Sequence, residues 1–171
     1  KLAQREAEGK IIRTGLVGAG QMGRGMVSQM VGMKGIMPAI VADIKLDNVI
    51  NAFHYAGIGD EDIAKTNSLE EANKFMEMGK YVATENADLI STANLVECAI
   101  DVTGVPEIGV RIATDALNNH KHVVMMDVET DVVIGPWLKK LGDKNGVIYT
   151  GSAGDEPGAV MELYCFARAM G

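Results

Sequence analysis

Apolar and polar positions change their period several times along this chain, and each change marks an element. Five of the seven residues from Ile11 to Val17 are Ile, Leu, Val or Thr, which predicts a strand. From Gln21 to Met33 the pattern becomes helical, with Met22, Met26, Met30 and Met33 recurring on one face as expected core. A second strand-like run spans Ile36 to Ala42, and Leu46 to Gly57 reads as a helix ended by glycine. Asp60 to Gly79 carries helix signals, with Ser68 and Glu71 in capping-box spacing. A short strand is expected from Lys80 to Thr84, then a turn of helix or a loop over Asn86 to Asn94.

The second part of the chain repeats the alternation. The apolar run from Cys98 is expected to end at Thr103 and Gly104, with Pro106 opening a helix to about Asn119. HVVMMD predicts a strand, and a helix is expected from Thr130 or Asp131 to about Asp143. Gly146 to Ala153 reads as a sixth strand, followed after Pro157 by an amphipathic helix to the chain end. Lys1 to Gly9 has the composition of a short leading helix. Strands alternating with helices predict an α/β fold of the Rossmann type, a doubly wound, mostly parallel sheet of about six strands with helices on both faces.

Composition narrows the class. The chain has 171 residues, 47% hydrophobic and 5% aromatic, with mean hydropathy +0.08, which suits one domain spanning residues 1–171 with its own core. Net charge is −7, and six basic against two acidic residues before Ile36 leave −11 for the rest, so nucleic acid is not an expected partner. No apolar run is long enough for a membrane span, and KLAQREAEGK lacks a signal peptide's apolar region, so a cytoplasmic setting is expected. Cys98 and Cys165 are far apart in apolar surroundings and read as buried thiols. His54 stands alone on its helix, and His120 and His122 fall on opposite faces of an extended segment, so no metal site is expected from them.

The candidate chemistry begins at GLVGAGQMG, where Gly18, Gly20 and Gly23 follow the first strand at GxGxxG spacing. The first glycine permits a tight turn, the second lets backbone approach a pyrophosphate, and the third lets the helix pack on its strand. Backbone N–H groups of Gln21 and Met22 are then expected to face the phosphates. Asp43 lies 20 positions after Gly23 at the tip of the second strand. There a carboxylate either accepts hydrogen bonds from the adenosine ribose or caps the following turn. A carboxylate repels a 2′-phosphate, so NAD is the expected cofactor, with NADP left open by Lys45 two positions on.

The other strand ends supply further candidates. Thr103 and Gly104 are expected to contact the nicotinamide-side ribose, unless they form only a strand-to-helix turn. Asp127 and Glu129 are candidate acids or bases near the nicotinamide, although N-capping of the next helix accounts for at least one of them more simply; Asp155 and Glu156 are candidates at the strand end where substrate binds, and they equally favour a helix N-terminus electrostatically.

With GLVGAGQMG, AIDVTGVPEIG, KHVVMMDVETDVVIGP and GSAGDEPGAVMELYCFARAMG in view, the chain from Ile11 to Gly171 resembles the nucleotide-binding part of homoserine dehydrogenase-like oxidoreductases. It is most similar to the branch with a C-terminal SAF domain, which includes enzymes resembling 1-deoxy-D-xylulose 5-phosphate reductoisomerase. The resemblance implies NAD(P)-linked redox chemistry, a homo-oligomer, and catalytic and SAF regions beyond this one. It departs from homoserine dehydrogenases at Asp127 and Val128, where those enzymes typically carry Asn-Lys. The expected function is therefore the cofactor-binding module of an oxidoreductase acting on a small polar hydroxy or keto compound, phosphorylated in the branch it resembles. The alternative is a domain that senses NAD(H) without chemistry.

Overall fold

The structure is a computed structural model, and it describes residues 1–152 and 158–171. The elements in chain order are α1 (Leu2–Ala7), β1 (Ile12–Val17), α2 (Gln21–Gly32), β2 (Ile36–Ala42), α3 (Leu46–Tyr55), a 3-10 turn (Asp60–Asp62) and β3 (Ile63–Lys65). There follow α4 (Leu69–Glu77), β4 (Tyr81–Thr84), α5 (Asp88–Thr92), β5 (Cys98–Asp101), α6 (Pro106–Asn118), β6 (His122–Met125), α7 (Val128–Asn145), β7 (Tyr149–Gly151) and α8 (Gly158–Met170). Apart from β3, this is the expected alternation.

The strands form one seven-stranded sheet in the order β3-β4-β2-β1-β5-β6-β7, and every pairing is parallel. The chain builds outward from β1 through β2, then returns to the other side of β1 at β5. That reversal opens a crevice at the carboxyl ends of β1 and β5, where a doubly wound sheet binds its ligand. Pro38 lies inside β2 and has no N–H for the ladder, and the β1–β2 register shifts beside it, between Thr14 and Gly15.

Both faces of the sheet are covered. On one side α2 and α3 pack Val27, Met30, Val49 and Phe53 against Leu16, Val41 and Ala83. On the other, α4 to α7 bring Met76, Leu89, Ile90, Ile112, Leu117 and Leu138 against Ile40, Val82 and Val123. Residues of parallel strands buried on both faces read as continuous apolar runs, which is why β1, β2 and β6 stand out in the sequence. At the edge opposite the crevice Lys121 is buried, with Nζ donating to the carbonyls of Ala93 and Val96 at 2.7 and 2.8 Å.

Several expectations are corrected. The sheet has seven strands rather than about six, because Ile63–Lys65 adds an edge strand within the segment read as helical. Ser68 precedes α4 without a side-chain cap bond; Thr66 Oγ1 takes the Glu71 carboxylate at 2.5 Å instead. Strand β5 stops at Asp101, short of Thr103, because Asp101 turns the chain through its own side chain. Helix α7 starts at Val128 because Asp127, not a later residue, caps it. The last strand is confined to Tyr149–Gly151. Met30 is core, but Met22 and Met33 are exposed. Cys98 is half-buried, with its thiol pushed up to about 11 by burial, whereas Cys165 is exposed on α8. From Val160 to Met170 that helix is exposed, with Leu163 at 70% and Phe166 at 67%.

Candidate functional site

The glycine loop between β1 and α2 shows three different uses of glycine. Gly18 has φ +99°, and a Cβ there would lie 2.8 Å from the carbonyl oxygen of Val102. A Cβ on Gly23 would lie 1.8 Å from the Gly18 carbonyl oxygen, so this position closes the loop onto its own helix. Gly20 differs from both. Its φ of −68° and ψ of −159° are open to any residue, and a Cβ there meets nothing within 4 Å. The protein's own packing gives no reason for a glycine at Gly20. The space in front of it is free for a guest.

Gly20 is also the N-cap of α2 and has no side chain with which to cap it. The leading N–H groups of Gln21, Met22 and Gly23 therefore have no intrahelical acceptor, and the helix dipole adds positive potential there. A phosphate group fits that donor set.

Two cavities meet at Gly20. The larger, of about 510 Å³, runs between the ends of β1, β2, β4 and β5, and its wall includes Gly18, Asp43, Lys45, Asn86, Thr103 and Arg111. The smaller, of about 290 Å³, is polar and bounded by Gln21, Arg24, Asn48 and Asn51. The Arg24 guanidinium lies 4.9 Å from the centre of the Tyr55 ring, which holds this cation beside the crevice.

Asp43 stands on the wall of the larger cavity and fastens the loop. Its Oδ2 accepts from Ala19 N–H at 2.7 Å, while Oδ1 accepts from Lys45 N–H at 2.9 Å and Asn48 Nδ2 at 3.0 Å. Turn capping and exposure to the large cavity thus coexist in one side chain. A carboxylate has about four acceptor positions, so Asp43 retains capacity for a ligand hydroxyl.

On the other side of the crevice the carboxyl groups are buried. Asp101 at the end of β5 is 2% exposed. Its Oδ1 accepts from Thr103 N–H at 3.0 Å and Thr103 Oγ1 at 2.8 Å, and Oδ2 has no partner among the described residues. Burial raises its affinity for a proton, and the nearby Asp127 carboxylate adds to that, while the bonds from Thr103 oppose it. Asp127, also 2% exposed, accepts from Thr130 N–H at 3.2 Å through Oδ1 and from Thr130 Oγ1 at 2.9 Å through Oδ2. Asp131 accepts from the Tyr149 hydroxyl at 2.7 Å, and burial together with that bond pushes the phenol up.

The sequence-predicted residues fall as follows. Gly18, Gly20, Asp43 and Thr103 line one cavity, and Gln21 lies in the adjoining one. The Met22 side chain faces solvent, leaving its backbone as the part turned to the loop. Gly104 has φ +63° in the turn before α6, and the Thr103 hydroxyl both donates to Asp101 and accepts from Val105 N–H at 3.2 Å. Asp127 is the buried α7 cap, and Glu129 is exposed in the first turn of α7. Asp155 and Glu156 lie outside the described residues. Asp101, Arg24 and Asn48 are additions that the sequence reading missed; the signal for Asp101 was a carboxylate ending an otherwise apolar run.

No protein-family model and no curated protein sequence matches the chain. Solved structures do. A homoserine dehydrogenase from Thiobacillus denitrificans matches with TM-score 0.59 and 18% identity, over 83% of this chain and 29% of that one. The scyllo-inositol dehydrogenase from Lactobacillus casei, solved with NAD(H) and scyllo-inositol, matches with TM-score 0.58 and 13% identity, over 84% of this chain and 36% of that one. GenD2 from gentamicin A biosynthesis, solved with NAD, matches with TM-score 0.56 and 14% identity, over 83% and 34% respectively. The Rossmann-like fold is shared with these dehydrogenases, and the chain spans about a third of their length.

Proposed function

We propose that this chain is the NAD-binding module of an oxidoreductase that moves a hydride between the nicotinamide and a small polar hydroxy or keto compound. The observation that carries the reading is Gly20, a glycine that the protein's own packing does not require, at the mouth of a helix with uncapped N–H groups. Those groups bind the pyrophosphate. Asp43, already fixed by Ala19 and Asn48, accepts from the adenosine ribose, and its charge favours NAD over NADP. Thr103 and Gly104 border the nicotinamide-side ribose. When bound, the cofactor supplies the hydride chemistry, and the chain's role is to orient it and hold its charges.

The solved neighbours with NAD support the cofactor, and the names of the dehydrogenases support the reaction class. Within that class we assign the chain to the SAF-bearing branch, since Val128 stands where homoserine dehydrogenases typically carry lysine. Substrate contacts, oligomerisation and the further catalytic region belong to that assignment. One observation favours a second reading, a dinucleotide sensor without chemistry: Asp127 is committed to the α7 cap and Glu129 points to solvent.

Titration with NADH, NADPH and FAD tests the cofactor. Saturable binding of NADH, tighter than NADPH, is expected, and absence of NAD(H) and NADP(H) binding overturns the module reading. Hydride transfer to keto compounds by the longest natural form of the protein separates the enzyme from the sensor. Full cofactor binding without turnover favours the sensor.

A further inference from the structure

In a doubly wound fold the strands on the β5 side of the crevice receive the nicotinamide half of a dinucleotide. In this chain Asp101 on β5, Asp127 and Asp131 at the start of α7, and Tyr149 on β7 lie behind that half, and none of the four is on the wall of the larger cavity. None of them contacts a cation among the described residues. Glu107 and Glu129, at the starts of α6 and α7, are exposed and face solvent. Helix α6 presses on the group from above: a Cβ on Gly109 would lie 2.4 Å from both Asp101 Oδ2 and Thr130 Oγ1. Position 109 therefore has no room for any side chain, charged or neutral.

Asp101 stands out within this group because Oδ2 is buried and has no partner among the described residues, while both carboxylate oxygens of Asp127 have a donor. Two carboxylates in one dry, uncompensated place do not both ionise easily. The geometry therefore provides a proton site whose occupancy changes the charge beneath one half of the crevice. The oxidised nicotinamide ring is cationic, and the reduced ring is neutral. Only the oxidised form gains from a negative charge nearby.

We propose that Asp101, paired with Asp127, sets the relative affinity of the chain for oxidised and reduced dinucleotide, favouring NAD⁺ when ionised and releasing that preference when protonated. The inference rests on the dinucleotide reading above and adds an oxidation-state preference to it. Asp101 acts through space and through its two bonds to Thr103, whose side chain is on the cavity wall, so it is a positioning residue.

The sign follows from the proton. As pH rises, Asp101 ionises, and the affinity for NAD⁺ rises relative to NADH. The test measures Kd for NAD⁺, NADH and ADP-ribose by calorimetry upward in pH from the ordinary carboxylate value of 3.8, in the native chain and in Asp101→Asn and Asp127→Asn. An NAD⁺ to NADH affinity ratio that rises about tenfold is expected for one buried charge roughly 12 Å from the ring at an effective dielectric constant near 20. ADP-ribose, which lacks the ring, should show no such slope. Asp101→Asn should be flat at the low-pH ratio. Asp127→Asn, which keeps a capping side chain, should move the midpoint to lower pH. Circular dichroism and melting identify a variant that fails to fold, in which case the native slope and the ADP-ribose control decide. A ratio independent of pH in the native chain, an equal slope for ADP-ribose, or an unchanged slope in folded Asp101→Asn overturns the proposal. Absence of binding by all three ligands overturns the dinucleotide reading as well.

Discussion

The two halves of the crevice treat charge in opposite ways. On the β1–β2 side, Gln21, Arg24, Lys45 and Asn48 gather around an uncapped helix N-terminus, and Asp43 has donors on both oxygens. On the β5–β7 side, Asp101, Asp127 and Asp131 sit with hydroxyl and amide partners and no ion pair among the described residues. The first half is suited to an anion held at fixed points. The second keeps carboxyl groups out of water at the energetic expense that usually accompanies a functional site. One sheet thus supplies a rigid anchor and, beside it, a region whose charge can change.

The largest effects should come from removing support behind each half. Phe53 is fully buried behind the first half and Leu138 behind the second. Phe53→Ala should cost about 3–5 kcal/mol and Leu138→Ala about 2–5 kcal/mol in denaturant unfolding. A single transition in both variants would show that the halves fold together; separate transitions would break the comparison into two independent units.

Next in size is Gly20→Val. Its backbone angles tolerate any residue, so the melting temperature should remain within about 2 °C, because surface substitutions usually stay within about 0.5 kcal/mol. The added branches stand where the guest belongs, so NADH affinity should fall about a hundredfold as an introduced clash. Gly23→Ala is the control with the opposite balance. Its Cβ clashes with the Gly18 carbonyl inside the protein, so stability falls together with binding.

How far these features could be read from the sequence differs between the halves. The first half was legible because each element has a local signature: a β-branched run, glycines at fixed spacing, a helical period and a carboxylate at the second strand tip. Strand β3 was not, since Ile63–Lys65 is three residues long and its neighbours are polar and helix-forming. The second half was only partly legible. Asp101 looked like an interruption in CAIDVTGVP, and the turn it makes with Thr103 leaves the backbone extended enough to resemble strand. Asp127 and Thr130 are both good caps, and only packing decides that Asp127 takes the position. On α8, Val160, Leu163, Phe166 and Met170 follow the helical period onto one face, as the sequence predicts, and all four are exposed.

Asp43→Ala sharpens the comparison from the anchoring side. It removes one charged acceptor from Ala19 N–H and from the ligand, so NADH affinity should fall by roughly 1.5–3 kcal/mol, or about tenfold or more, in a calorimetric titration. NADPH should lose less, because the repulsion of its 2′-phosphate is removed at the same time. Equal losses for both would deny Asp43 a part in discrimination.

The smallest effect is the pH dependence of stability from the second half. Asp101 binds its proton more tightly in the folded state than at its ordinary value of 3.8, so the folded chain holds more protons than the unfolded chain above that value. Stability from this group should fall as pH rises from 3.8 through the raised folded value and then level off. Melting curves across that range should show the decline in the native chain and a weaker one in Asp101→Asn.

The central claim is that the Gly18–Gly23 loop and Asp43 hold a dinucleotide. Titrating the 171-residue chain with NADH while following nicotinamide fluorescence tests it directly. The account predicts saturable binding of one NADH per chain, displaced by ADP-ribose and lost in Gly20→Val. A linear, unsaturating response up to millimolar NADH, or saturation unaffected by Gly20→Val, would contradict it.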